Sequence, residues 1–506
     1  MNQSGSYVSP GHAGFSLAPH KGYAPAVADN RCGHQHRASI RYLHGNDWIS
    51  LCLDCWRRQR SLGDVRDTHD AFSLLGGMDE RRGALLAGGL TLATNDWRQT
   101  RPGFHATSPS RPARVMLYSH DTFGLGHLRR NLAIARQLLA TSGHFEVLLL
   151  TGSPMQDSWP LPAGLTVRAL PPVVKIGDEQ YGPRDHAKNF ALLKGHREAL
   201  ILEAALSFKP DVFLVDHAPI GMGGELLPTL ALLQEGHPET RLVLGMRDII
   251  DSPDATRKVW CEQGIIDILD RVYDQILVYG RQDWFDVVDA YGIPDSVAGK
   301  IRYCGYVCNQ PSSDVATAAL PVRAPGRPRV LVTVGGGGDG VRIIDAYLSA
   351  LRRNGGFGCQ SLIVPGPLMD PNERAQLERA AAESPDVHLI DGATDMLPLM
   401  RDSDLVIAMA GYNTSAEILS LGCKAILVPR ARPRAEQRMR SDMLARFGLV
   451  DRVDPDGDIA EQLSRLVPVA LDAGDRHLTR FPLDGAAQVA AELHALTARP
   501  RALLEA

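Results

Sequence analysis

Residues able to do chemistry recur where apolar runs of this chain end, and they fall into three groups. The first is Ser119-His120-Asp121-Thr122-Phe123-Gly124-Leu125-Gly126-His127-Leu128-Arg129-Arg130. His127 stands where a helical pattern begins, and the positive end of a helix dipole favours the neutral imidazole that a general base needs. Gly124 and Gly126 let backbone come close to a ligand, and Arg129 and Arg130 are placed to meet phosphate. The spacing equally allows a His127 that only caps the helix, beside solvated arginines. The second group is Gly335-Gly336-Gly337-Gly338-Asp339-Gly340. A G-x-G-x-x-G loop between strand and helix offers bare N–H groups and a helix N-terminus to a phosphate; the alternative is a tight turn without a ligand. The third group runs Gly411-Tyr412-Asn413-Thr414-Ser415-Ala416-Glu417 and, one strand later, Arg430-Ala431-Arg432-Pro433-Arg434-Ala435-Glu436-Gln437. Gly411 allows a sharp turn and Asn413 suits an N-cap. Glu417, on the first turns of a helix, can accept both hydroxyls of a ribose, and Arg430, Arg432 and Arg434 can neutralise a diphosphate. A solvated basic loop is the blander reading. Against it stands the placement of glycine, glutamate and arginine at successive strand ends.

These groups need a scaffold that brings strand ends together. Continuous apolar runs at 115–118, 145–150, 212–215, 242–244 and 275–278 alternate with helical stretches such as 128–139 and 187–207. After a proline- and alanine-rich stretch at 310–327, the alternation restarts with strands at 329–334, 361–364, 387–390, 405–408 and 425–428. Helical patterns at 341–352, 374–383, 413–421 and 436–447 lie between them. Apolar runs bounded by helices predict parallel strands buried on both faces, hence an α/β fold of two doubly wound, Rossmann-like halves. Such sheets bind ligands beyond the carboxyl ends of their strands, so two facing halves make a cleft. The expected division is an irregular extension at 1–110, one half at 111–318, the other at 319–485, and a last helix at 486–506 whose docking place is open. Asp216, and Arg247 with Asp248, are further cleft candidates, as are strand-end caps or ion pairs at the same positions.

Composition narrows the class. The chain has 506 residues, 44% hydrophobic and 22% charged, with a formal net charge of -4. That balance supplies no global field for nucleic acid. No apolar run approaches the roughly 20 residues that span a bilayer, so the expected location is the cytoplasm, with peripheral contact at the inner membrane face left open. Eight cysteines are too sparse for a disulfide scaffold, and Cys261, Cys304, Cys308, Cys359 and Cys423 read as small buried hydrophobes. Cys32, His34, Cys52 and Cys55 form the one dense Cys/His cluster. It suits a structural zinc, although Cys32-x-His34 is tighter than usual zinc spacing; the alternatives are a loosely packed extension or a start codon placed too early.

The glycine loops do not serve NAD. A dinucleotide site needs a carboxylate at the end of the second strand for the ribose, and the chain has Ile363-Val364-Pro365-Gly366 there in one half and Leu150-Thr151-Gly152 in the other. The stretches Gly335 to Gly340, Gly411 to Glu417 with Leu421-Gly422, and Ala425 to Pro429 with Glu436-Gln437 instead resemble the donor domain of glycosyltransferase family 28. The architecture is similar over roughly 114–470, and the motifs mostly over 404–450. The first loop also resembles that of a subgroup of predicted glycosyltransferases.

The resemblance implies a GT-B fold and transfer of a hexose or N-acetylhexosamine from a nucleoside-diphosphate sugar, UDP in the first instance, to a hydroxyl acceptor. It implies that Glu417 binds the donor ribose, that Gly411, Asn413 and Thr414 face the diphosphate, and that Gln437 contacts the sugar. Gly335, Gly336 and Gly337 would lie near the donor or acceptor phosphate, and His127 would be the base or an acceptor-positioning group; apart from the resemblance, Asp216 is a further catalytic candidate. Arginines and helix N-termini can carry the leaving group's charge, and no D-x-D ends a strand, so the expected reaction needs neither metal nor cofactor. Two departures matter: Gly124-Leu125-Gly126 replaces paired glycines, and Glu436 stands where a glutamine is usual. The acceptor therefore stays open, whether glycan, lipid-linked or small molecule. Competing readings are a sugar-nucleotide epimerase or hydrolase of the same fold and a non-catalytic sugar-nucleotide-binding regulator.

Overall fold

The computed structural model describes residues 39–44, 47–52, 90–93, 111–121, 126–140, 144–153, 161–177, 180–183, 190–309, 321–336, 340–367, 369–390, 395–430, 434–473 and 483–498. Strands β1 (Ser39–His44), β2 (Asp47–Cys52) and β3 (Leu90–Ala93) form a small antiparallel sheet in the order β2-β1-β3. Cys52 closes β2; Cys32, His34 and Cys55 lie outside the described residues.

The apolar runs become strands buried on both faces, as parallel pairing requires. In the first half these are β4 (Ala113–Tyr118), β5 (Phe145–Thr151) and β6 (Leu165–Ala169), then, after the hairpin β7 (Val173–Gly177) and β8 (Gln180–Pro183), β9 (Val212–Asp216), β10 (Arg241–Arg247), β11 (Gln275–Tyr279) and β12 (Ile301–Tyr303). The seven-stranded sheet has the order β12-β11-β10-β9-β4-β5-β6, all parallel. The second half repeats the plan with β13 (Arg329–Thr333), β14 (Gln360–Val364), β15 (Val387–Leu389), β16 (Leu405–Ala408), β17 (Ala425–Leu427) and β18 (Asp451–Arg452), in the order β15-β14-β13-β16-β17-β18. In each sheet the chain builds outward from its first strand, then returns to build the other way. The switch points therefore fall between β4 and β9 and between β13 and β16. Crevices form there, beyond the carboxyl ends.

Four helices matter for the site. Helix α1 (Gly126–Ala140) follows β4, α2 (Tyr412–Leu421) follows β16, α3 (Glu436–Arg446) follows β17, and α4 (Gly485–Ala498) comes last. The sequence left the place of α4 open. It packs on the first half, where Gln275 Nε2 donates to Glu492 Oε2 at 2.8 Å and the His494 ring stands 5.9 Å from Phe145. Val489 and Leu493 are fully buried, and a Cβ on Gly485 would sit 2.5 Å from Tyr306 O, so the helix starts with bare backbone against backbone. One apolar cluster runs from β4 and β9 through Tyr279, Tyr306 and Tyr412 to β13 and β16, so the halves share a core between them.

Among the described residues no helix is long and apolar enough to cross a membrane. Cys304, Cys308 and Cys359 are buried and Cys423 is partly so, whereas Cys261 is exposed, against the expectation that all five are interior.

Candidate active site

Two strand ends of the first half and two helix starts of the second meet at the switch points. The chain leaves β4 through buried Ser119, His120 and Asp121, and Gly126 is the first residue of α1. Asn413 on α2 donates through Nδ2 to Gly126 O at 2.9 Å, which joins the two helix starts across the cleft. A Cβ on Gly126 would come within 3.2 Å of that amide. Asn413 is therefore not the N-cap the sequence suggested. Gly411 takes the cap position with no side-chain bond, and Asn413, inside the first turn, spends its amide on the partner helix. Gly411 itself has φ -65°, a conformation any residue adopts, and opens onto space that a Cβ would not fill. Thr414 stands partly buried beside it.

His127 lies on the first turn of α1, its Nδ1 2.6 Å from Asp216 Oδ2 at the carboxyl end of β9. Its side chain keeps 15% exposure while Asp216 has 1%. Arg130, one turn on, grips the same carboxylate with Nε at 3.0 Å and Nη2 at 2.7 Å from Oδ1. Nη2 also lies 3.0 Å from His127 Nδ1. The carboxylate is nearer to that nitrogen, and arginine only donates, so the Nδ1 proton belongs to Asp216 and the Nε2 lone pair is left for a substrate. Burial alone would raise the Asp216 carboxyl; Arg130 and His127 outweigh it and hold it at about 2. Asp216 is ionised at neutral pH and orients the ring. This is the geometry of a histidine base held by a carboxylate.

Arg130 is not available to phosphate, contrary to the sequence expectation. It is buried, fixed on Asp216, and lies between the Tyr279 and Tyr412 rings at 5.4 Å from each centroid. Pulling one member out of such a buried pair costs about 3–5 kcal/mol, more than a surface phosphate contact returns. Tyr279 comes from the first half and Tyr412 from the second, so Arg130 also bridges them. Tyr279 fits there because β10 carries Gly245, where a Cβ would fall 1.7 Å from the Tyr279 hydroxyl.

Arg129 reaches across to Glu417, and its Nη2 donates to Oε1. The carboxylate that resemblance assigns to a donor ribose is thus held by a residue of the facing helix. Its other oxygen, Oε2, is buried without a partner. Burial lifts this carboxyl above its ordinary range, against the pull of Arg129.

The two described ends of the basic loop are tied down by hydrogen bonds. The Arg430 N–H donates to Gln437 Oε1 at 3.0 Å, and the Ala435 N–H to Asp251 Oδ1 at 2.9 Å across the cleft. Arg247, ending β10, pairs with Glu436 at 3.1 Å. Burial would raise the Glu436 carboxyl, but Arg247, Arg440, Arg434 and Arg430 together bring it below its usual value. Arg432, like Gly124 and Gly337, lies outside the described residues. Gly335 has φ 62°, the left-handed conformation glycine allows, and Gly336 follows it in the turn after β13.

Several residues of this assembly escaped sequence reading. Arg440 is buried on α3, donates to Ala410 O at 3.1 Å and Ile249 O at 3.3 Å, and lies 3.7 Å from Asp248. Tyr306 donates to the same aspartate at 2.6 Å. An arginine four residues after Glu436, on the face that also carries Leu444, is the one hint the sequence offers. Tyr279 and Tyr412 look like ordinary apolar residues in sequence; only the pairing of the halves shows what they hold. Among the described residues no three His, Cys, Asp or Glu side chains converge as metal ligands.

Residues 330–446 match the glycosyltransferase family 28 C-terminal domain. The chain is 24% identical over 326 residues to an uncharacterized glycosyltransferase of Methanosarcina mazei, a match over 60% of this chain and 77% of that relative. It is 32% identical over 143 residues to the UDP-N-acetylglucosamine--N-acetylmuramyl-(pentapeptide) pyrophosphoryl-undecaprenol N-acetylglucosamine transferase of Halorhodospira halophila, spanning 27% of this chain and 38% of that protein. The solved structure of the glycotransferase of kitacinnamycin matches with a TM-score of 0.52 at 14% identity, over 76% of this chain and 100% of its own. At that identity the shared property is the fold.

Proposed function

We propose, from the premise that this chain is a family 28-like glycosyltransferase of the GT-B type, that it transfers a hexose or N-acetylhexosamine from a nucleoside-diphosphate sugar to an acceptor hydroxyl, with His127 as the base. The observation that carries this is the His127–Asp216 contact at 2.6 Å, set opposite the helix that bears Glu417. The acceptor O–H gives its proton to His127 Nε2, and its oxygen attacks the anomeric carbon. The bond from that carbon to the diphosphate oxygen breaks, and its electron pair leaves with the nucleoside diphosphate. Asp216 stabilises the imidazolium that forms. In this reading the start of α2, with Arg430 and Arg434, meets the leaving charge, so the proposed reaction needs no metal. A UDP donor is favoured by the UDP-N-acetylglucosamine in the name of the Halorhodospira relative. A lipid-linked acceptor draws on the pyrophosphoryl-undecaprenol in the name of the same relative, and peripheral contact with the inner membrane face would follow from such an acceptor.

Donor use is tested by incubating the full chain with UDP-glucose, UDP-N-acetylglucosamine and TDP-glucose, with and without hydroxyl acceptors. Transfer products in the presence of acceptor are expected. Rapid conversion to free sugar or an epimer without acceptor would favour the hydrolase or epimerase reading. Binding without any turnover would favour a regulator. Glu417→Gln is expected to weaken UDP binding by about tenfold or more, since an amide cannot accept both ribose hydroxyls as a carboxylate does. Unchanged affinity would remove Glu417 from the ribose site.

A further inference from the structure

His217 follows Asp216 directly, and the dyad leaves three of its features unexplained. Its φ is 70°, a left-handed conformation that costs a residue with a Cβ on the order of 1 kcal/mol or more. The sheet imposes it: the His217 N–H donates to Gly245 O at 2.7 Å, and the Ala218 N–H to Asp216 O at 2.9 Å. Next, Arg247 Nη2 stands 3.2 Å from His217 Nε2. Arginine has only donors, so Nε2 accepts and the ring carries its proton on Nδ1. Burial first, then Arg247 and the neighbouring His127 and His120, push this imidazole well below its ordinary range, which keeps it neutral. Last, Nδ1 is buried and has no hydrogen-bond partner. An unmet buried donor costs on the order of 1–3 kcal/mol. A strained backbone and an unmet N–H at one residue call for one reason, and position supplies it. The His217 ring lies 5.3 Å from the His127 ring and 6.2 Å from that of His120. A donor of fixed tautomer therefore adjoins the base.

We propose that His217 binds the acceptor, donating Nδ1–H to a second oxygen beside the hydroxyl that His127 deprotonates. The acceptor is then a sugar or polyol with oxygens on neighbouring carbons, not an isolated alcohol. This rests on the reading of His127 as base. One ring offers an accepting nitrogen and the adjoining ring a donating one. Two adjacent oxygens satisfy both: the attacking hydroxyl gives its proton to His127, and its neighbour accepts from His217. His217 keeps its own proton throughout. Nδ1 is covered in this structure, so the proposal requires a local rearrangement that uncovers it as the acceptor binds.

Two substitutions separate the donor from the backbone. His217→Gly relieves the positive φ and deletes the ring. His217→Asn tolerates the same φ and places an amide N–H near the Nδ1 position. With UDP-glucose or UDP-N-acetylglucosamine as donor, transfer and hydrolysis are measured for methyl hexopyranosides, propane-1,2-diol and propan-1-ol. The wild type should use at least one hexoside or the diol with about tenfold or higher kcat/KM than propan-1-ol, the scale of one hydrogen bond to substrate. His217→Gly should lower the ratio of transfer to hydrolysis by about tenfold, mainly through acceptor KM, and erase the preference; His217→Asn should stay within about threefold of wild type. An unchanged acceptor KM in His217→Gly, equal use of propan-1-ol, or hydrolysis without transfer to any hexoside or diol would overturn the proposal. His127→Ala should lower hydrolysis and transfer together. If it changes neither, the base reading fails, a result distinct from an ineffective His217→Gly beside an effective His127→Ala. A wild type that turns over neither donor would end both.

Discussion

Asp216 takes hydrogen bonds from His127 and Arg130 while almost wholly buried, so its charge is both necessary and well matched. Its folded-state value of about 2 lies below the ordinary 3.8, and the sign of its pH effect follows. A carboxylate with a depressed value stabilises the fold fully above about pH 4 and loses that contribution as pH falls through about 2, an effect of about 2 kcal/mol. Asp216→Asn should flatten this acid limb in urea titrations taken between pH 6 and about pH 2. It should also cost about 3–5 kcal/mol at neutral pH, because Arg130 is left buried without its counter-ion. An acid limb as steep as that of the wild type would mean that other carboxylates carry it. The sequence showed His127 and Asp216 as separate candidates. Their contact spans 89 residues of chain, and no local pattern carries such a pairing.

At the scale of elements, the starts of α1 and α2 are tied to each other. Asn413 ties α2 to Gly126, and Arg129 ties α1 to Glu417. Motif spacing revealed the helices and their polar ends, because strand, glycine loop and helix start are local in sequence. It did not reveal that these polar groups answer one another, so Asn413 read as a cap and Arg129 as a phosphate ligand. If Arg129 occupies the carboxylate that a donor ribose needs, Arg129→Ala should lower the melting temperature, since Glu417 loses its counter-ion, yet tighten UDP binding severalfold in calorimetric titration. Weaker binding would instead give Arg129 a direct role on the diphosphate. Strand β10 has its own constraint. Gly245→Ala would drive a Cβ into the Tyr279 hydroxyl and displace the ring that holds Arg130. The expected cost is about 1–3 kcal/mol in chemical denaturation, with a lower kcat. A fully stable, fully active variant would show that Tyr279 can move without consequence.

For the whole molecule, apolar runs alternating with helical pattern made the two doubly wound sheets legible, since parallel strands buried on both faces leave a simple signature. The return of α4 to the first half was not legible: Val489 and Leu493 mark an apolar face without naming its partner. The halves meet through Tyr306, Tyr412, Arg130 and Arg440, and His127, the proposed base, and Glu417, the proposed donor contact, belong to different halves. Turnover is therefore expected to be separable from donor binding. The direct measurement is nucleoside-diphosphate release from a saturating sugar nucleotide by His127→Ala, alongside its donor affinity. The expected result is a fall in kcat of about 100-fold or more, the usual weight of a positioned base, with donor Kd within about threefold of wild type. An unchanged kcat, or a loss confined to donor binding, would contradict it.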